Sequence, residues 1–200
     1  MNEKIWWYLA RSSGIVALVL LVASVLWGVA LATRILKPHD RPAWLLDLHR
    51  WLAGSALVMT GLHLVGLVLD GYIDFGFADI LVPGASAYRP VAVAIGMVSL
   101  YGMIAVQTTS YLRRWLSRRV WHGIHMLSYL VVWAAALHAG LAGTDVTNRA
   151  YQVLALVLTI AAVGAGLVRV LAPGRRSEPV AAGSGPQGEL ASTEAEMTSA

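Results

Sequence analysis

The sequence has 200 residues, of which 58% are hydrophobic and only 13% charged, with a mean hydropathy of +0.64. Soluble domains carry about 25% charged residues, so the composition excludes an ordinary soluble domain and points to a membrane protein. The absence of cysteine excludes disulfides, thiolate-bound zinc, iron–sulfur clusters and covalent c-type haem, leaving His, Met, Asp, Glu and Tyr for any metal chemistry.

Residues 1–11 carry Trp6, Trp7 and Tyr8. Such rings favour the headgroup layer, and the stretch reads as an interfacial amino-terminal segment. Uncharged runs follow at Gly14–Thr33, Trp51–Leu69, Pro90–Leu112, Val120–Thr144 and Ala150–Val168. Each approaches or exceeds the roughly 20 residues that a helix needs to cross about 30 Å of hydrocarbon. The predicted fold is therefore all-α, an integral membrane bundle of five transmembrane helices within residues 12–170. The first run is too long for a signal peptide core and stops at a basic stretch from Arg34 to Arg41; it reads as a retained helix. Residues 71–89 (GYIDFGFADILVPGASAYR) form the longest loop, read as a compact cap with room for a short helix. Residues 171–200 are rich in Pro, Gly, Ser, Glu and Ala. Such a segment buries too little apolar surface to fold and reads as a disordered tail.

The net charge of +4 is unevenly spread. Arg34, Lys37, Arg41, Arg50, Arg113, Arg114, Arg118, Arg119, Arg169, Arg175 and Arg176 fall on one side of the predicted bundle, eleven of fifteen basic residues. The other side has Lys4, Arg11, Arg89 and Arg149, with Asp70, Asp74, Asp79 and Asp145. Basic loops stay in the cytoplasm. The pattern is a topology signal for a multi-pass protein of the cell membrane, with its amino terminus outside and its carboxyl terminus cytoplasmic. It is not a nucleic-acid patch.

Of six histidines, His39 lies in a loop, His49 and His63 in the second span, and His122, His125 and His138 in the fourth. An ionisable residue inside a membrane is costly and marks a functional site with a partner; hydrogen bonding between helices is the plainer alternative. Both spans run outward from the cytoplasm. Separations of fourteen and thirteen residues, at about 1.5 Å each, put the members of each pair about 20 Å apart in depth. The four histidines thus make two levels, each with one imidazole from each helix. Facing imidazoles at matched depth suit a six-coordinate haem iron, so two levels imply two stacked haems. Zinc and non-haem iron sites converge on one point, which histidines at two depths cannot do. A proton relay remains open, although the spans contain no acidic residue.

At about 100° per residue, His63 returns to within roughly 40° of the face of His49, but His138 lies about 140° from His125. The fourth span is therefore expected to carry a distortion such as a π-bulge, or else the haems approach it from different flanks. His122 reads as interfacial or near a haem propionate. Gly54, Gly61 and Gly66 in the second span permit close approach of a helix or a flat macrocycle. Trp133 lies between the two levels, either between the macrocycles or facing lipid. Arg50, Arg113, Arg114, Arg118 and Arg119 on the inner side, and Arg89 on the outer, are candidate propionate partners.

The stretches LHRWLAGSALVMTGLH (48–63) and WHGIHMLSYLVVWAAALH (121–138) echo each other weakly, each with an aliphatic-His pair early and Leu-His later. Together they resemble the ferric reductase-like transmembrane domain family, over roughly residues 12–170. That family includes the membrane domains of ferric reductases and NADPH oxidases and the haem-binding subunit of a bacterial methionine sulfoxide reductase. The paired histidines fourteen apart match it, as does the pattern of Trp121, Ile124, His125, Leu127 and Tyr129, with His138 thirteen residues on. The resemblance implies two b-type haems passing electrons across the membrane, the inner on His49 and His125, the outer on His63 and His138.

The fused reductases have one more span than the five read here, and a flavin and NADPH domain after the last. No glycine-rich dinucleotide fingerprint follows a strand after the last span. The expected electron donor is therefore a separate flavoprotein or quinol, and the acceptor ferric chelate, oxygen or an outer-face redox protein. On this reading the chain is the membrane component of an oxidoreductase. The alternatives are a haem-binding anchor subunit of a separate reductase, or a haem-free helical transporter or scaffold.

Overall fold

The computed structural model describes residues 4–35, 42–71 and 75–171. His39, Lys37, Arg41, Asp74, Arg175, Arg176 and the tail from residue 172, expected to be disordered, lie outside the described residues. Every regular element among the described residues is helical: α1 (Lys4–Thr33), α2 (Pro42–Leu69), α3 (Phe77–Leu81), α4 (Pro90–Tyr111), a 3-10 turn (Arg113–Trp115), α5 (Arg118–Ala142) and α6 (Arg149–Leu171). All but α3 and the 3-10 turn are long and apolar enough to cross a membrane, which makes five candidate spans.

Local chemistry sets the boundaries. Residues 4–11, read from sequence as an interfacial segment, are the first turns of α1 itself. That helix ends where Arg34 turns left-handed (φ 55°). Helices α2 and α4 open on Pro42 and Pro90, whose missing N–H is no loss in a first turn. Ser117 caps α5, its Oγ accepting the Val120 N–H at 3.3 Å. From there α5 is α-helical through to Ala142. The π-bulge expected between His125 and His138 is absent.

The spans pair as two antiparallel hairpins, α1 with α2 and α4 with α5. Helix α6 packs on α1, and α1 also touches α5. Helices α2 and α5, which carry the histidines, hardly bring their Cα atoms within 8 Å of one another. A core of Leu21, Val22, Ala56, Val131 and Val132 closes the waist of the bundle. Outward-facing residues such as Val157, Ile160 and Leu167 remain exposed, as expected where lipid tails are as apolar as the side chains themselves.

One end of the bundle collects Arg34, Arg50, Arg113, Arg114, Arg118, Arg119 and Arg169, and is called the basic end. The other carries the α2–α4 and α5–α6 connections with Asp70, Asp79 and Asp145, and is called the α3 end. There the 71–89 loop contains α3. Its cap is held where Asp79 accepts the Gly76 N–H at 2.9 Å, and the Tyr101 hydroxyl donates to the Leu81 carbonyl at 2.5 Å. Arg11 of α1 pairs with Asp145 in the α5–α6 connection. The Tyr151 hydroxyl of α6 donates to the Ala139 carbonyl of α5 at 3.0 Å. The Arg11–Asp145 pair ties the two hairpins together at this end.

Candidate functional site: two pairs of facing histidines

The structure brings the four span histidines together as two pairs. His49 and His125 face each other near the basic end, ring centroids 6.1 Å apart and planes inclined by 70°. His63 and His138 do so nearer the α3 end, at 6.3 Å and 78°. No group of three or more His, Asp or Glu among the described residues could hold a metal ion. The two levels read from sequence are therefore present as geometry. His125 and His138 leave an undistorted helix about 140° apart yet both meet a ring from α2, so they do so from different flanks of α5.

The outward nitrogen of each ring is engaged. His49 Nδ1 donates to the Ser24 carbonyl at 2.9 Å, with the Ser24 hydroxyl at 3.2 Å. His63 Nδ1 donates to the Ala10 carbonyl at 2.6 Å, and His138 Nδ1 to the Ala92 carbonyl at 2.8 Å. A carbonyl can only accept, so Nδ1 carries the proton in all three, and in the neutral ring the lone pair is on Nε2. This is the tautomer a metal-bound histidine needs, and the anchoring bond is the kind that fixes a ligand ring.

A carbonyl inside a helix is reached from the side only where the residue four positions later leaves room. Ala10 is followed by Gly14, Ser24 by Gly28 and Ala92 by Gly96. A Cβ on Gly14 would stand 2.9 Å from His63 Nδ1, one on Gly96 2.6 Å from His138 Nδ1, and one on Gly28 3.3 Å from His49 Cε1. The imidazoles thus sit in notches cut by glycine into α1 and α4. Gly14 and Gly28 are fourteen residues apart, as are His49 and His63, the rings they receive. At the fourth position stands Ser110, fourteen residues after Gly96. Its hydroxyl lies 2.7 Å from the Val106 carbonyl and 3.5 Å from His125 Nδ1.

The glycines singled out on α2 do not receive the rings, but Gly66 makes the close helix approach expected there. Nothing lies within 4 Å of a Cβ built on Gly54 or Gly61, while Gly66 packs on the backbone of Ala10. Sequence reasoning missed Gly14, Gly28, Gly96 and Ser110, which lie on the partner helices; their matched spacing was the available signal.

The other candidates are dispersed. Trp121 stacks on His125 at 5.1 Å and 23°, and Arg113 lies 4.6 Å over the Trp121 ring. His122 is exposed, 6.3 Å from Trp121. Arg50 is exposed and pairs with Asp47 at 3.4 Å. Arg89 donates to the Leu141 carbonyl at the end of α5 and lies over Tyr88. Trp133 is 40% exposed. Among buried polar atoms, the indole N–H groups of Trp27, beside Gly28, and of Trp121 have no partner among the described residues. A mostly apolar cavity adjoins the second pair and is lined by Trp7, Arg11, Gly14, His63, Gly96 and His138.

Residues 13–136 match the family described as ferric reductase like transmembrane component. The chain belongs to that family. The matched stretch includes His49, His63 and His125 and stops just before His138. No curated protein and no solved structure matches the chain. Family membership makes this a multi-span membrane protein of a kind that typically binds haem and carries electrons.

Proposed function

We propose that the chain is a di-haem b-type transmembrane electron-transfer protein, with His49 and His125 holding one haem and His63 and His138 the other. The spacing within each pair is the observation that carries this reading. An imidazole nitrogen sits about 2 Å from a metal that it binds, with the ring centre about 1 Å behind it, so two imidazoles holding one iron from opposite sides would have centroids about 6 Å apart. The observed 6.1 and 6.3 Å agree. The Nδ1 bonds, the separation of α2 from α5, the apolar cavity and the orphaned indole donors all fit haem as well. When bound, haem supplies one-electron redox chemistry tuned by axial ligation and burial.

The chain's own residues hold the rings, keep Nε2 available and exclude water. Carbonyls of residues 10, 24 and 92 fix three rings. The waist formed by Leu21, Val22, Ala56, Val131 and Val132 lies between the two levels and keeps that interval dry. Trp27, Trp121 and Arg113 offer donors for propionates near the basic end.

Basic ends face the cytoplasm, which makes His49–His125 the inner level. Electrons enter there from a separate flavoprotein or from quinol. They leave at the α3 end to a ferric chelate, oxygen or an outer redox protein, or to a catalytic subunit that this chain anchors. The test is reduction of an external acceptor by liposomes loaded with reductant on the basic-end side. His63→Ala is expected to abolish it; acceptor reduction unchanged in His63→Ala refutes this wiring.

A further inference from the structure

Three of the four histidines donate to a helix carbonyl bared by a glycine, and His125 does not. At its position the fourth notch is filled by Ser110, whose hydroxyl spans the gap between the Val106 carbonyl (2.7 Å) and His125 Nδ1 (3.5 Å). The hydroxyl has one proton, and the Val106 carbonyl can only accept, so that proton goes to Val106. An oxygen lone pair of Ser110 is then all that remains to receive the His125 N–H. At 3.5 Å this bond is longer than the 2.6–2.9 Å of the other three. Weaker acceptance at Nδ1 leaves the ring less basic at Nε2, because a bound histidine's outer hydrogen bond raises its donor strength.

We propose that Ser110 is a positioning residue that makes His125 the weakest electron donor of the four histidines. It thereby holds the haem of the His49–His125 level at a higher reduction potential than a glycine there would allow. A less basic axial ligand stabilises the ferric state less, and hydrogen bonding around the ligands is one of the means by which a protein sets such potentials. The asymmetry has a clear source in the sequence. The α1–α2 hairpin uses glycine in both notches, and the α4–α5 hairpin uses glycine in one and serine in the other. This inference rests on the di-haem reading.

Two substitutions at the same position move the potential in opposite directions. Ser110→Gly removes the hydroxyl and the Cβ, gives His125 the bare Val106 carbonyl, and lowers the potential. Ser110→Ala removes the acceptor but keeps a Cβ over Val106, and raises it. The expected change is about tenfold in the reduction equilibrium each way, which is ~59 mV for a one-electron couple. The measurement is a spectroscopic redox titration of purified wild-type protein and both variants, with haem counted per chain. The level is assigned by comparison with His63→Ala, in which the surviving haem is that of His49 and His125. Opposite shifts confined to that haem establish the role of Ser110. Shifts of the same sign, no shift, or an equal movement of the other haem overturn it while leaving the di-haem reading intact. Wild-type protein without haem overturns both.

Discussion

A methyl group added at Gly96 tests how tightly the notches hold the rings. The new Cβ would stand 2.6, 2.8 and 2.9 Å from Nδ1, Cε1 and Cγ of His138, so the ring must leave its place above the Ala92 carbonyl. Overpacking of this kind costs about 1–3 kcal/mol. The cost falls on the haem-loaded form, where the ring is fixed, whereas in the empty protein the ring can swing aside. The helix itself gains about 1 kcal/mol from alanine over glycine, but it does so with or without haem. Haem affinity at the His63–His138 level should therefore fall roughly 5- to 150-fold, at about 1.4 kcal/mol per tenfold, while the empty protein melts no lower than wild type. Gly28→Ala meets His49 Cε1 at 3.3 Å, so movement of a few tenths of an ångström suffices and the loss should be only a few-fold. Gly61→Ala meets nothing and should leave affinity unchanged. Haem titration into the apo variants reads the series directly. Equal affinities for Gly96→Ala and Gly61→Ala would refute the notch.

Two further outcomes follow from the same geometry. The paired rings are inclined by 70° and 78°, and near-perpendicular axial planes leave the two iron orbitals they overlap almost degenerate. Both ferric haems should then give strongly anisotropic low-spin resonance at low temperature, and a rhombic signal typical of parallel planes would contradict the ring orientations. Arg11→Ala strands Asp145, which is only 9% exposed, and should destabilise the protein by about 1–3 kcal/mol. Replacing both partners by apolar residues should recover most of that loss, as measured by melting in detergent.

The spans and the histidine levels were legible because both depend on features of one chain segment. Length and apolarity define a membrane helix, and the separation of His49 from His63 or of His125 from His138 converts directly into depth. The surroundings of the rings were less legible because they belong to other helices. Gly54 and Gly61 drew attention as places on α2 for close approach of a helix or macrocycle, whereas the glycines that receive the rings are Gly14, Gly28 and Gly96 on α1 and α4. Angular bookkeeping on α5 left two outcomes open, a distortion such as a π-bulge or contact from two flanks. The helix stays regular, and its histidines reach α2 from two flanks. The contact of the Arg89 guanidinium with the Leu141 carbonyl at the end of α5 was not legible either, since it joins two distant stretches of sequence.

The central claim is that each pair of facing imidazoles holds a haem, and a reduced-minus-oxidised absorption spectrum with haem counted per chain tests it most directly. Two b-type haems per purified chain, falling toward one in His63→Ala, is the expected result. Colourless protein from haem-replete cells would contradict it, and would make the histidines helix-packing residues of a membrane scaffold or transporter.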